Sequence, residues 1–358
     1  MTLYRSSRFH REELILNHEI RIFVERYPTL IKENHHMSAL RKALVFIGML
    51  IALTVVGNAQ QSDLSGQLSK IIGANANNYL EPLASGLGAG LNSGFYHSAD
   101  LHSVLGFDIG VKMSLAMISD AHKTFDFVLP DQITIGPLTY RAGIDYAKNV
   151  PNSPTFAGGS GIPVKSTGLN NGTVIFTTPS GFNYTRLPMF APQAAIGLPF
   201  GIEVIGRFLP STNLGDAGKV NFVGFGLRYD IDQYIPFCPV DIAVHFMTQK
   251  VTIDDKSGNK VMSLSGTAFG AEVSKSLILF TLYTGVQFEN SNLSVESYQY
   301  TDPSTGVTAQ VNGFSLTGVD KTRFLVGFRV LLAVINLHAD YSFSKYPVLT
   351  AGVGITFR

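Results

Sequence analysis

Residues 107–117 read Phe107-Asp108-Ile109-Gly110-Val111-Lys112-Met113-Ser114-Leu115-Ala116-Met117. The odd positions are apolar, while Asp108, Gly110, Lys112, Ser114 and Ala116 between them are small or charged. A period of two sends these sets to opposite faces of an extended strand. The pattern recurs down the chain. Val223, Phe225, Leu227 and Tyr229 alternate with Phe222, Gly224, Gly226 and Arg228, and Ile242, Val244 and Phe246 with Asp241, Ala243, His245 and Met247. Phe280, Leu282, Val286 and Phe288 alternate with Leu279, Thr281, Tyr283, Gly285 and Gln287. Phe324, Val326, Phe328 and Val330 face away from Arg323, Leu325 and Arg329. Leu337, Ala339, Tyr341 and Phe343 face away from His338, Asp340 and Ser342, and Leu349, Ala351, Val353, Ile355 and Phe357 from Thr350, Gly352, Gly354 and Thr356.

A soluble β-sandwich also alternates, with its apolar face as core. Three features favour a membrane barrel. The strands reach the roughly 9–11 residues that a tilted strand needs to cross a bilayer, against about 5–6 for most soluble strands. Their second face is mostly Gly, Ala, Ser and Thr with few charges, which suits a lumen. The chain also ends on a strand, with Phe357 next to last. Walking back from that strand, connections alternate long and short: Ser344–Pro347 outside, Leu332–Ile335 inside, 290–322 outside, Ser274–Ser276 inside, Asp254–Asn259 outside, Tyr234–Pro239 inside, Pro210–Lys219 outside and Leu198–Gly201 inside. Short periplasmic turns with longer external loops are the outer-membrane pattern. The expected fold is therefore all-β: a transmembrane antiparallel β-barrel of about twelve strands, within a range of about ten to fourteen, since such barrels have even counts. The twelve includes one hairpin from Thr124–Leu129 and Gln132–Leu138 in the Gly-, Pro- and Asn-rich external segment 119–186. Lipid should face the apolar set, so Val326→Arg should destabilise while Gly352→Ser, on the inward face, should be mild. The last strand, ending Ile355-Thr356-Phe357-Arg358, should engage the outer-membrane assembly machinery, because closure leaves no edge in lipid.

The chain has 358 residues, 45% hydrophobic and only 15% charged, with 27 Lys+Arg against 26 Asp+Glu. That near-neutral balance, without a basic block, gives no electrostatic footprint for nucleic acid. One cysteine, Cys238, excludes an internal disulfide framework and multi-cysteine metal sites. Arg41-Lys42, the apolar run Ala43–Val56 and Gly57-Asn58-Ala59 read as a secretory signal over 37–59, cleaved after Ala59. A signal should begin the chain, so 1–36 reads as an upstream extension, with translation starting at Met37. The exported remainder carries 19 Lys+Arg and 21 Asp+Glu, a net of −2. Its expected place is the outer membrane.

Residues 60–100 do not alternate. Leu64, Leu68, Ile71 and Ile72 have helical spacing behind Ser62 or Asp63 as N-cap, and a glycine-rich run, Gly86 to Gly94, follows. The segment is expected to form a helix and plug, with Leu64, Leu68, Leu87 and Leu91 packed against inward Phe222, Met247, Leu279 and Leu325 and an apolar crevice beside them; the alternative is a periplasmic linker outside the barrel. The polar lumen set is Asp108, Lys112, Glu203, Arg207, His245, Arg329, His338 and Asp340. His338, Asp340 and Ser342 share a strand face, but residues two apart sit about 6.5 Å apart, too far for a nucleophile and its base, so they read as a polar lumen ladder with cross-strand partners such as Arg329 and Arg323. His97 and His102 lack a third metal ligand of suitable spacing, Asp254–Asn259 reads as an external turn, and Cys238, between Pro236 and Pro239, reads as structural. The sequence therefore points to no catalytic site, metal or cofactor.

The runs Tyr79-Leu80-Glu81-Pro82 and Gly88-Ala89-Gly90-Leu91-Asn92-Ser93-Gly94, then Leu187-Pro188, Pro192-Gln193, Gly197-Leu198-Pro199-Phe200-Gly201, Tyr229-Asp230-Ile231 and Ile235-Pro236, resemble a family of uncharacterised Gram-negative outer-membrane proteins. The resemblance covers most of 60–358 and rests on turns and glycines, so it implies a scaffold and no chemistry. In layout the chain is also similar to long-chain fatty-acid channels, whose N-terminal segment plugs the barrel; none of their ligand residues can be matched here. The leading functional expectation is a plugged channel for small hydrophobic molecules. Its alternatives are a structural or surface-contact barrel, a water-filled porin, disfavoured by sparse inward charge, and an enzyme.

Overall fold

The computed structural model describes residues 74–213, 219–254, 258–301, 308–311 and 313–357, without the side chains of 298–312. The signal and upstream readings, the Ser62/Asp63 cap, Leu64 and Leu68 lie outside the described residues.

Ten long strands form the ring: β1 (Phe107–Met117), β2 (Arg186–Leu198), β3 (Ile202–Asn213), β4 (Lys219–Asp230), β5 (Asp241–Asp254), β6 (Lys260–Leu277), β7 (Phe280–Val295), β8 (Thr322–Leu332), β9 (Ile335–Phe343) and β10 (Val348–Phe357). Each is antiparallel to its sequence neighbour, and β1 closes the ring on β10, with Phe107 opposite Phe357 and Ala116 opposite Val348. A short strand, Phe314–Thr317, pairs with the far end of β7 beyond the ring.

The ring has ten strands where about twelve were expected. Thr124–Val128 pairs with Asn149–Pro154, Gln132–Ile135 with Leu138–Arg141, and Pro163–Lys165 with Val174–Thr177, each as a separate two-stranded sheet. Pieces of three to six residues are too short to cross a bilayer, which takes about 9–11. They form a cap over one end of the barrel, with Phe127, Leu129, Tyr140, Tyr146, Val150 and Ile175 as its core.

The cap lies at the end that also carries the connections β3–β4, β5–β6, β7–β8 and β9–β10; the other end has the short turns. The β6–β7 turn is Ile278-Leu279, not Ser274–Ser276. Ile278 there (φ 55°) and Ala333 in the β8–β9 turn (φ 55°) take left-handed backbone, which costs side-chain residues energy and marks how tightly these turns close. Along the strands, Ile109, Phe225, Phe246, Phe280, Val326, Phe328 and Val353 are exposed, while most of the residues between them are buried. Exposed apolar residues around a closed ring suit hydrocarbon, and the pairing of β1 with β10 leaves the ring without a terminal edge strand.

Inside the ring lies helix α1 (Ala74–Leu91), followed by an irregular stretch to β1. The glycine-rich run is helical up to Leu91, because small residues let the helix approach the wall. A Cβ on Gly86 would sit 2.7 Å from Leu187 Cδ1, and one on Gly88 would overlap Ser291. That closeness offsets the roughly 0.5–1 kcal/mol each glycine costs a helix.

Candidate functional site: an occupied lumen and an unpaired wall segment

The lumen divides into an apolar half near the cap and a polar half near the short turns. In the first, Tyr79, Leu80 and Leu91 of α1 pack with Ala191, Phe222, Leu264 and Leu293 of the wall, flanked by Leu87, Met189 and Leu209. Lower down, Met247 and Leu325 pack with Phe95 and Tyr96 of the stretch after α1. Leu279 is not in the lumen; it is 50% exposed in the β6–β7 turn.

The polar half holds far more charge than the inward pattern implied. Five cations (Lys112, Arg207, Arg228, Arg323, Arg329) and five carboxylates (Asp108, Glu203, Glu272, Glu289, Asp340) are buried there. Arg228 donates to Glu203 (2.7 Å), to Glu272 (2.8 Å) and to the Ser98 carbonyl. Arg323 forms a two-pronged pair with Glu289 (2.9 and 3.1 Å) and also donates to Ala89 O (2.9 Å) and Ser93 Oγ. Arg207 donates to the carbonyls of Leu91 (3.0 Å) and Ser93 (2.7 Å), and its guanidinium lies 4.7 Å from the Phe95 ring centre. His102 bridges Glu203 (2.6 Å) and Thr356 (2.8 Å), and His245 contacts Glu272 (2.5 Å). Lys112 Nζ lies 3.1 Å from His338, which lies 3.1 Å from Asn336. Asp340 accepts from Tyr283 (3.0 Å), and Arg329 donates to Thr281 (2.9 Å).

Inward groups from β2, β3, β4, β5, β7 and β8 thus grip the backbone of 89–98 from around the ring, which places that segment within the lumen. A cavity lined by His97, His102, Asp108, Glu203 and Arg228 has a volume of about 10 Å³, room for about one water. Beside the 86–91 part of the run the described neighbours are apolar, Ile118, Leu187 and Met189, while the backbone of 91–94 is met mainly by guanidinium and amide groups. A Gly352 side chain would strike the His338 ring, so Gly352→Ser is not mild.

Sequence reasoning misses Arg228, Glu272 and Glu289; Arg323 it reads only as a cross-strand partner of the His338–Ser342 face, where it does donate to Ser342 (3.0 Å), and not as the partner of Glu289. Strand parity gives their inward direction, but the partners lie on other strands, at separations of 25 to 44 residues. His338, Asp340 and Ser342 each engage a different partner: Lys112, Tyr283 and Arg323. Among the described residues, no group of three His, Cys, Asp or Glu has metal-holding geometry.

The second feature is in the wall. β2 and β3 pair only from Leu198↔Ile202 to Gln193↔Arg207, although both strands continue to Arg186 and Asn213. On its other edge β2 stays paired with β1 as far as Arg186↔Met117. Ile118 N donates to Thr185 O (2.9 Å) and Gly197 N to Gly106 O (2.8 Å), so odd residues of β2 direct their backbone at β1 and even residues at β3. Extending the register would set Pro192 against Phe208 and Phe190 against Pro210, beyond which β3 bulges before Thr212. Both would-be bonded pairs contain a proline, which has no N–H to give, and Pro188 lies on the same edge of β2. The wall is therefore unladdered over the half nearer the cap, and inward Met189, Ala191 and Leu209 of the apolar cluster lie behind it.

Residues 37–357 match a family of unknown function, DUF6588. The chain belongs to that family. No curated protein matches it in sequence. Among solved structures it is similar to the translocator domain of autotransporter NalP from Neisseria meningitidis (TM-score 0.30, 11% identity, covering 73% of this chain and 90% of that one). It is similar also to Ail, the attachment invasion locus protein of Yersinia pestis (0.20, 12%, 71% and 98%), and to the CymD monoaromatic hydrocarbon channel (0.23, 12%, 73% and 90%). No residue role is carried over from them.

Proposed function

We propose that this DUF6588 member is an outer-membrane barrel, closed along its axis by its own N-terminal segment, that admits small hydrophobic molecules sideways between β2 and β3. The observation that carries the reading is the unladdered wall, kept so by Pro188, Pro192 and Pro210 and backed by an uncharged cluster. A strand edge at membrane depth normally pairs, because lipid offers its backbone no partner. A wall left unpaired toward β3 over 187–192, beside an apolar interior, suits a guest that needs no hydration. The ion-paired lower lumen has the opposite effect. It excludes water and small polar solutes, which would have to displace the clamped 89–98 segment.

Outer-membrane lipid surrounds the exposed apolar band in this reading, and β10, which closes the ring, is the segment offered to the assembly machinery. The guest enters by pushing Met189 and Leu209 away from α1, so the wall segment acts as a door and the glycine face of α1 as its jamb.

The test is a reversible staple. With Cys238→Ser, Ala191→Cys and Leu209→Cys are joined by a short bis-methanethiosulfonate, and liposome flux is followed with a fluorescent dodecanoic acid and with glucose. The expected result is roughly tenfold slower fatty-acid entry when stapled, recovery on reduction, and negligible glucose flux throughout. Fatty-acid flux unaffected by the staple would end the lateral route. Passage of neither probe by the unstapled protein would leave a barrel serving structure or surface contact.

A further inference from the structure

The direction of α1 through the barrel has a topological consequence. Its start lies at the cap end: Asn75 exchanges hydrogen bonds with the backbone of Val128 (2.7 and 2.9 Å), Tyr79 OH donates to Ser180 O (2.7 Å), and Phe156 N donates to Tyr79 O (2.8 Å). Glu81 accepts from Tyr346 OH (2.7 Å) in the β9–β10 connection, at the same end. The chain then descends past Arg323 and Arg207 at residues 89–93 and Arg228 at Ser98. It reaches the short-turn end where His102 meets Thr356 of β10 and Leu105 N donates to Gly197 O (3.0 Å). Only there does β1 begin and turn back up through the wall.

We infer that residues 74–106 run through the barrel from the outer face to the periplasmic face, so that the start of α1 is presented at the cell surface beside the cap. The inference rests on the outer-membrane reading above, in which short turns face the periplasm. It adds that the start of α1, although it precedes every strand of the ring, lies at the end of the barrel opposite to the one from which β1 begins. Three buried guanidinium groups fix it there by binding carbonyl oxygens of 89–98, so its retention does not depend on side-chain packing alone. A segment gripped from most of the wall cannot be threaded into a finished ring of ten strands; the barrel closes around it. The surface offered to the outside is then composite, made of the cap and the first turns of α1, held together by Asn75, Tyr79 and Glu81.

Single cysteines read the topology directly. In a Cys238→Ser background, Asn77→Cys reports the start of α1, Ser160→Cys the cap and Phe237→Cys the β4–β5 turn; all three parent residues are exposed. Cells are treated with a membrane-impermeant maleimide before and after outer-membrane permeabilisation. The expected result is labelling of Asn77→Cys and Ser160→Cys in intact cells, with Phe237→Cys labelled at least tenfold more after permeabilisation. If Asn77→Cys behaves like Phe237→Cys while Ser160→Cys labels in intact cells, the start of α1 faces the periplasm and the inference is overturned. If Phe237→Cys labels from outside and Ser160→Cys does not, or if all three need permeabilisation, the outer-membrane reading itself fails.

Discussion

Arg323→Met removes the most heavily used clamp on the plug. The guanidinium is buried and donates twice to Glu289, once to the Ala89 carbonyl, and to the hydroxyls of Ser93 and Ser342. Methionine fills much of the volume but donates nothing, so Glu289 is left with Gln287 as its remaining side-chain donor (2.6 Å). Breaking a buried ion pair from one side costs about 3–5 kcal/mol, because the surviving charge stays desolvated. Glu289→Gln in the same chain removes that charge and should restore about half of the loss. The assay is urea unfolding in lipid vesicles for the wild type, both single variants and the double. Glucose flux on the same vesicles reports whether the 89–93 segment still seals the lumen, and it should rise in Arg323→Met. A cost under about 1 kcal/mol, the value of an exposed pair, would refute the argument: it would mean water reaches this pair and the lumen is not sealed there.

Replacing Pro188, Pro192 and Pro210 together with valine restores three donors to the β2–β3 edge; at about 0.5–1.5 kcal/mol per bond the barrel should gain about 1.5–4.5 kcal/mol and lose dodecanoic acid flux, and flux without loss would separate the seam from transport. Val326→Arg should cost about 2–4 kcal/mol in vesicle refolding if the barrel is embedded as proposed, because Val326 lies mid-strand, 43% exposed on the outer face of the ring; a cost near zero would argue for a water-exposed outer face. In the cap, the backbone N–H groups of Leu169 and Arg141 hold the Asp145 carboxyl below its ordinary value. The stability this supplies is present above the usual pKa of about 3.9 and is lost as pH falls through the lower folded value. Urea titration of the Tyr140 and Tyr146 signal should show the cap weakening in acid, and Asp145→Asn should flatten that dependence; an unchanged acid profile would show that these bonds do not stabilise the cap.

The sequence alone determined which residues point outward from the ring. A strand's side chains alternate whatever it pairs with, so Phe225, Val326 and Val353 could be assigned outward from their neighbours. It also determined that a non-alternating, glycine-rich segment precedes the first strand, and that the chain ends on a strand. The number of strands was decided by tertiary structure, because a short apolar piece such as Thr124–Val128 has the same local pattern whether it joins a wall or a cap. The lumen chemistry was decided there too: Arg228 reads as one more inward residue until ring closure sets it between Glu203 and Glu272 on two other strands. The three prolines of β2 and β3 are visible in the sequence, but a proline only denies a bond on the edge its backbone faces. Which edge that is depends on which strand lies on each side, a relation that exists only in the folded barrel.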